Sequence, residues 1–342
     1  LALANKLVDK VAYEDEYHDM IRAKLKVAKK EKYDIVSITD YAKKTASTVE
    51  DYSKDDIIAV IYAQGEIAGG EGDVNVIGEG SIKRSLQEAR EDKDVKAIVL
   101  RVNSPGGSAL TSELIWREIE ITKKVKPVVV SMGNYAASGG YYIAANADRI
   151  FAEPNTITGS IGVFGMLPNM NQLGKNIGIN AEQVKTHENA SGYSVFEPID
   201  ENFKGFVLES IEKTYATFLK RVADGRKMTT AQVDAIAQGR VWTGVDAHKL
   251  GLVDEIGGLD AAIKYAAKLG KTSSYRTENY PEYEKSFEDL LANFTGMAMF
   301  KTKEQLLKEQ LGEEGFQMLE QIKRVKSRKG IQAIMPYEIQ IH

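Results

Sequence analysis

Apolar residues along the chain are grouped in runs that predict a sheet covered on both faces. Buried strands are predicted where apolar residues dominate, at residues 56–64, 95–102 and 127–132, with a shorter strand at 150–152. Helical periodicity follows them, at residues 81–91, 108–124, after Ser138, 202–222 and 229–237. Strands that are apolar throughout and alternate with helices are typical of parallel sheets. The predicted fold class is therefore α/β, with a mostly parallel sheet and helices on both faces.

The two ends of the chain differ from this central pattern. Residues 1–50 are charged, helical and then irregular, and their opening Leu7-Val8-Asp9 repeats the Leu252-Val253-Asp254 found much later. We interpret residues 1–50 as the tail of a preceding repeat plus a connector, although chance could also produce so short a match. Residues 51–270 form the predicted domain. Residues 271–342 are predicted to be a charged helical extension with an amphipathic helix near 303–325.

The composition of the chain argues against several classes of function. The chain has 45 basic and 49 acidic residues, so its net charge of -4 gives no reason to expect nucleic acid as a partner. It has no cysteine, which excludes disulfides and thiol catalysis. No His, Asp and Glu cluster has the spacing of metal ligands, and we expect neither metal nor cofactor. No apolar run approaches the ~18 residues of a membrane helix.

A glycine pair follows the strand at 95–102. Gly106 and Gly107 precede the next helix, for which Ser108 or Thr111 could be the N-cap. Paired glycines let backbone N–H groups approach a ligand closely. Taken alone, Pro105-Gly106-Gly107 is explained more simply by a plain strand–helix turn.

A serine flanked by small residues follows the strand at 127–132. Ser138 lies between Ala137 and Gly139, at the start of a helix whose positive end would face the serine oxygen. Ala136 replaces the first glycine of a G-x-S-x-G turn. An N-cap serine is the alternative interpretation. Both loops lie at the carboxyl ends of successive predicted strands, where ligand crevices form in α/β sheets.

Five motifs, taken in order, resemble the signal peptide peptidase A family, also called protease IV. They are Asn103-Ser104-Pro105-Gly106-Gly107, Ala137-Ser138-Gly139-Gly140-Tyr141, Thr158-Gly159-Ser160-Ile161-Gly162, Gly239-Arg240-Val241-Trp242-Thr243-Gly244 and Gly251-Leu252-Val253-Asp254. The resemblance covers about residues 55–270 and implies a serine peptidase of the Ser/Lys type with a Clp-protease/crotonase-like fold. It implies Ser138 as nucleophile and an oxyanion hole from the backbone of Gly106, Gly107 and Gly139. It also implies that Ser160 orients the lysine base.

The lysine itself departs from the pattern of single-copy relatives. Their lysine falls a few residues after the position of Lys185, where this chain has Asn189-Ala190-Ser191. Long members carry two tandem copies, with the serine in the second and the lysine in the first. The resemblance therefore implies the C-terminal, serine-bearing half of a long form, with its base on a missing N-terminal half. Lys185 and His187 are the alternative bases within the chain, although a solvated surface role suits both.

The resemblance also implies partners and a location. The substrates of the family are remnant signal peptides, and its members form homo-oligomers on the outer, periplasmic face of the inner membrane. The resemblance also implies a membrane anchor upstream of the region that this sequence covers. Two other functions stay open: a crotonase-type acyl-CoA enzyme that shares the paired-glycine oxyanion hole, and a non-catalytic scaffold half. A reactive Ser138 would separate the peptidase from both.

Overall fold

The structure is a computed structural model that describes residues 2–28, 32–38, 41, 56–187, 190, 193–281, 312, 315–316, 319 and 331–335. The chain divides into two units, residues 1–52 and 53–342. In the first unit the helix α1 (Glu14–Leu25) buries no residue. The predicted amphipathic helix near 303–325 lies almost entirely outside the described residues.

The second unit is built on a mainly parallel sheet. Its strands are β1 (Ile57–Gln64), β5 (Val95–Ser104), β7 (Val128–Ala137), β8 (Arg149–Ala152), β9 (Ile157–Gly159), β10 (Val241–Thr243), β11 (Glu255–Ile256) and β12 (Arg276–Tyr280). The order is β10-β9-β7-β5-β1-β12, with β8 and β11 branching from β7. All the pairings are parallel except that of β9 with β10. The predicted strands at 56–64, 95–102, 127–132 and 150–152 are confirmed.

Helices cover both faces of this sheet. They are α2 (Glu79–Glu91), α3 (Ala109–Lys123), α4 (Gly139–Ala144), α5 (Asn171–Asn176), α6 (Glu201–Arg226), α7 (Thr230–Ile236), α8 (Gly244–Lys249) and α9 (Leu259–Leu269). Successive residues of a strand point to opposite faces. Ile57 and Ile61 accordingly pack in the core that includes α2, α3, α4 and α6, whereas Ile58 packs in the core on the α9 side. The α/β architecture with helices on both faces is confirmed.

A second, small sheet lies where sequence analysis predicts loops and extension. It comprises β2 (Glu66–Ala68), β3 (Gly72–Asp73), β4 (Val76–Gly78), β6 (Gly106–Ser108) and β13 (Gln332–Ile334), in the order β13-β6-β2-β4-β3. The glycine-rich segment 65–80 therefore forms short strands. Within the described part of the chain, no helix combines the length and apolar character needed to cross a bilayer.

Candidate active site

Ser138 lies at the junction between β7 and α4. Its side chain is buried, and its hydroxyl donates a hydrogen bond to the carbonyl of Gly162 at 3.3 Å. Its backbone has φ 52° and ψ -115°, a region that residues with a Cβ rarely occupy. Strain of this kind persists only when the surrounding structure enforces it, and it concentrates at functional sites.

The alternative role of Ser138 as a helix cap is wrong. Its side chain makes no capping hydrogen bond to the first turn of α4. Ser108 shows the contrast, because it caps α3 by accepting a hydrogen bond from the backbone N–H of Thr111 at 3.3 Å. Of the two N-cap candidates for α3, Ser108 and Thr111, the structure shows that Ser108 is the cap.

The glycine pair belongs to β6 and lies against the turn that carries Ser138. A Cβ placed on Gly106, whose φ is 101°, would lie 2.7 Å from the backbone nitrogen of Gly139. A Cβ on Gly107 would lie 2.0 Å from the carbonyl oxygen of Ile67 in β2. Gly106 therefore lies against Gly139, whereas Gly107 packs against Ile67, and none of these three positions has room for a Cβ. The simple-turn interpretation of Pro105-Gly106-Gly107 does not account for this close approach.

Ser160 is brought next to Ser138 by the pairing of β7 with β9. Ala137 lies opposite Gly159 in the parallel register, and the Ser138 N–H donates to the Gly159 carbonyl at 2.8 Å. Ser160 is itself buried and has φ 46°. Its N–H donates to the carbonyl of Arg240 at 2.7 Å. The motif at 239–244 contains β10, which pairs antiparallel with β9. It therefore helps to fix the backbone of Ser160.

Buried polar contacts hold the short helix α4. The Tyr141 hydroxyl donates to the Leu252 carbonyl at 2.8 Å, and burial raises the pKa of Tyr141. The neighbouring Arg226 forms an ion pair with Asp254 at 2.6 Å. Burial is the largest single influence and disfavours the guanidinium, but the hydrogen bond to Asp254 and the charges of Tyr141 and Asp254 together raise the pKa of Arg226. The motif at 251–254 thus anchors the helix that follows Ser138, and Asp254 has a structural role.

The opposite side of α4 carries a second network. The Tyr142 hydroxyl donates to Glu113 on α3, and Glu113 also pairs with Arg221 on α6. Burial and the bond to Glu113 both raise the pKa of Tyr142. The guanidinium of Arg221 lies over the Trp116 ring, 3.8 Å from its centroid. Three helices are thereby fixed around the turn at Ser138.

Neither candidate base from the sequence contacts the serine pair. Lys185 and His187 are exposed. The Nδ1 atom of His187 lies 3.3 Å from the hydroxyl oxygen of its neighbour Thr186. Asn189 and Ser191 lie outside the described residues. His248 bonds to the Val253 carbonyl at 3.2 Å. Among the residues that the structure describes, no lysine hydrogen bonds to Ser138 or Ser160, and no three acidic or His side chains form a possible metal site.

One neighbour of the site was not foreseen from the sequence. The carbonyl oxygen of Ala333, in β13, lies 2.9 Å from the position that a Cβ would take on Gly139. Its only sequence signal is the short, mostly apolar segment at 331–335, which lies far from every motif.

Comparison with known proteins gives consistent similarities. The model of peptidase family S49 matches residues 120–273. "Protease 4" of Haemophilus influenzae is 45% identical over 239 residues, which cover 70% of this chain and 39% of that protein. "Protease 4" of Salmonella typhi is 39% identical over 297 residues, covering 86% of this chain and 47% of that protein. The chain thus spans less than half the length of these two relatives.

Solved structures give weaker similarities. A ClpP1 variant from Listeria monocytogenes is 16% identical, with a TM-score of 0.40 over 60% of this chain and 94% of that chain. A membrane-bound stomatin-specific protease is 17% identical, with a TM-score of 0.45 over 67% of this chain and 99% of that chain.

A shorter relative establishes the family. A putative protease of Synechocystis is 34% identical over 196 residues, which cover 56% of this chain and 70% of that protein. The Peptidase S49 match and the Protease 4 relatives agree with it. The chain therefore belongs to peptidase family S49, the signal peptide peptidase A family of serine peptidases.

Proposed function

We propose that this chain carries the nucleophile of a Ser/Lys peptidase, with Ser138 as the attacking residue. The observation that carries the proposal is the strained, buried turn at Ser138, whose hydroxyl makes no cap and bonds to the Gly162 carbonyl, and whose neighbour Gly139 lies against Gly106. A serine held in this way costs conformational energy without stabilising the helix. A catalytic use explains why the fold retains it.

The proposed reaction is acyl transfer. A neutral amine removes the Ser138 proton, the oxygen attacks a peptide carbonyl, and the carbonyl oxygen becomes an oxyanion. Backbone N–H groups of Gly107 and Gly139 stabilise that charge, and removing one such donor costs about 10²–10³ in rate. The protonated amine then delivers its proton to the leaving amine. Water hydrolyses the acyl-enzyme with the same amine as base.

The base is proposed to be a lysine that lies outside the described residues. Support comes from the exposure of Lys185 and from the absence of a described lysine bonded to either serine. The relatives named Protease 4 are also much longer than their matched regions. Ser160 is proposed to accept a hydrogen bond from this lysine and to orient it. A lysine must be neutral to act, which requires burial to lower its pKa from ~10.4.

The proposed substrates are extended peptides, in particular remnant signal peptides. The similarity to proteins named Protease 4 supports peptide substrates, and an extended peptide can bind through its main chain as an added strand. We further propose that the protein acts as a homo-oligomer at the periplasmic face of the inner membrane. The proposals of a homo-oligomer and of this location rest on the family alone.

The nucleophile is tested by two matched serine variants. Ser138→Ala is expected to abolish hydrolysis of casein and of a synthetic signal peptide by the active protein. Ser273→Ala, which removes an exposed hydroxyl, is expected to leave the hydrolysis unchanged. Near-normal hydrolysis by Ser138→Ala would overturn the assignment. Acyl-CoA turnover that survives Ser138→Ala would instead favour the crotonase-type alternative.

A further inference from the structure

Arg101 lies on the same face of the large sheet as helix α9. Val99, two residues earlier on β5, packs in the core on the α9 side, and alternate residues of a strand share a face. Tyr62 on β1 and Ser131 on β7 are the neighbours of Arg101 across the parallel sheet. Because Tyr62 is 39% exposed, α9 leaves this end of the face open to solvent. Helix α4, which follows Ser138, packs in the core on the opposite face.

Arg101 is the only half-buried arginine among the described residues that has no carboxylate partner. The others form ion pairs at 2.5–3.2 Å, namely Arg22–Asp19, Arg90–Glu118, Arg149–Glu255, Arg221–Glu113, Arg226–Asp254 and Arg276–Glu278. Arg101 bonds instead to neutral oxygens, since its Nη1 donates to the Ser131 hydroxyl at 2.8 Å and to the Met132 carbonyl at 2.7 Å. Burial accordingly lowers the pKa of Arg101. A charge removed from water in this way is costly until an opposite charge pairs with it.

The bonds of Nη1 leave the other edge of the Arg101 guanidinium unused. Nε and Nη2 have no hydrogen-bond partner among the described residues, and neither belongs to the buried side-chain atoms that lack a partner. Both atoms are therefore open to solvent. They form the edge whose parallel N–H groups match the two oxygens of a carboxylate in a bidentate pair.

Further donors flank this edge. The hydroxyl of Tyr62 makes no hydrogen bond to a described residue. Asn103, two residues after Arg101 on the same face, accepts a bond from the Tyr135 N–H at 3.4 Å through Oδ1, which leaves its amide NH₂ unused. Glu153 is the nearby acid whose charge acts on Arg101, but the two form no ion pair. The surface of Tyr62, Arg101 and Asn103, which we call the donor surface, is therefore rich in donors.

The strength of one ion pair limits what can occupy the donor surface. An exposed ion pair adds only about fivefold in affinity or less. A free carboxylate would thus bind too weakly to fill the site, and an effective ligand must also contact the exposed ring of Tyr62. An acidic side chain next to an apolar one in a peptide supplies both contacts. It also brings a single negative charge, which matches the single guanidinium.

We propose that the donor surface is a docking site for an acidic peptide segment of a partner protein. The Asp or Glu carboxylate of that segment pairs with Nε and Nη2 of Arg101, and an adjacent apolar side chain covers the ring of Tyr62. The amide of Asn103 donates to the same segment. Because α4 packs on the opposite face of the sheet, this docking site is separate from the candidate active site.

The test uses NMR on the full chain with isotope-labelled arginine, and follows the side-chain Nε–H signals. The probe is acetyl-Leu-Glu-Leu-amide, and the uncharged control peptide is acetyl-Leu-Gln-Leu-amide. The acidic peptide should shift one arginine signal in a saturable way, and Arg101→Lys should remove that signal. The control peptide should leave it in place.

Affinities are compared by saturation transfer to the leucine methyl groups of the acidic peptide. Arg101→Gln should weaken binding by about tenfold or more, because the charge-assisted bonds are lost. The matched control Arg117→Gln, at an exposed position of α3, should bind as the parent chain does. If Arg101→Gln does not melt cooperatively, Tyr62→Ala replaces it and should also weaken binding.

Three results would overturn the inference. They are equal binding of the two peptides, unchanged binding by Arg101→Gln or Tyr62→Ala, and equal shifts of the Arg101 signal by sodium acetate and by the acidic peptide. The last result would show that the surface takes an adventitious ion only. None of these measurements involves Ser138 or hydrolysis, so the inference stands or fails independently of the proposed function.

Discussion

Ser138 and Ser160 are cross-strand neighbours, aligned by the 2.8 Å hydrogen bond from the Ser138 N–H to the Gly159 carbonyl. Both are buried, and both have positive φ angles, 52° and 46°. Two strained serines at the ends of paired parallel strands form the feature on which the proposed chemistry depends.

Ser160→Ala tests whether the second serine orients the base. We expect the rate of peptide hydrolysis to fall by about tenfold or more, because a poorly placed base loses part of the 10²–10⁴ that proton transfer contributes. The alkaline limb of the pH–rate profile should shift as the lysine loses its partner, and Ser160→Thr should restore part of the rate. An unchanged pH–rate profile would make Ser160 purely structural.

Gly107→Ala should lower both stability and activity. The added Cβ would lie 2.0 Å from the Ile67 carbonyl oxygen, so that β2 and β6 must separate. Overpacking of this kind costs typically ~1–3 kcal/mol, which thermal unfolding would measure. Gly205→Ala is the matched control, because nothing lies within 4 Å of its Cβ position on α6, and it should leave the protein as stable or more stable. Equal melting temperatures for the two variants would show that the crowding at Gly107 is relieved without cost.

Asp254→Ala should destabilise the protein, because Asp254 holds the buried contacts next to α4. It leaves Arg226, whose side chain is 7% exposed, without its ion-pair partner, and it removes the acceptor for the Ile150 N–H. Breaking a buried pair costs ~3–5 kcal/mol, whereas an exposed pair contributes at most ~1 kcal/mol.

The control for this variant is Asp224→Ala, which removes the exposed Lys220–Asp224 pair. Urea unfolding should show that Asp254→Ala lowers the free energy of unfolding much more than Asp224→Ala does. Similar midpoints would show that the Arg226–Asp254 pair does not stabilise the fold.

Alkaline pH should weaken the fold through its tyrosines. Burial, then the hydrogen bond to Asp234, raises the pKa of Tyr215 from 10.0 to about 12. The folded protein thus holds this proton more tightly than the unfolded chain does. Stability from Tyr215 is fully present below pH 10 and is lost as the pH rises from 10 towards 12.

The pH dependence is checked by urea unfolding of the parent chain and Tyr215→Phe at pH 9 and at pH 11. The difference between the two proteins should shrink at pH 11, since phenylalanine has no proton to lose. Tyr141, Tyr142 and Tyr280, whose pKa values are also raised by burial, contribute in the same direction in both proteins. A difference that stays constant with pH would show that the pKa of Tyr215 is the same in both states.

The sequence predicts the elements whose signals are local. Predominantly apolar runs predict β1, β5 and β7 because both faces of these strands are largely buried. Ser138 stands out because small residues surround it at a strand end. The edge strand β12, with the polar sequence Arg-Thr-Glu-Asn-Tyr, carries no such signal, since only its pairing with β1 makes it a strand.

The remainder of the site depends on contacts between distant parts of the chain. No local pattern indicates that Arg240 bonds to the Ser160 N–H, or that Ala333 lies opposite Gly107. These contacts follow from the closure of the whole sheet. For the same reason the sequence indicates the glycines of the proposed oxyanion hole and gives no sign of the strand that lies on them.

The most direct test of the central claim is covalent labelling of Ser138. A preparation that hydrolyses casein is treated with a fluorophosphonate probe, digested with trypsin and analysed by fragmentation mass spectrometry. The peptide that ends at Arg149 contains both Ser131 and Ser138, and fragmentation separates them. The account predicts an adduct on Ser138 that rises in step with loss of hydrolysis and is missing in Ser138→Ala. Loss of hydrolysis with the adduct on another serine, or continued hydrolysis with Ser138 fully labelled, would contradict it.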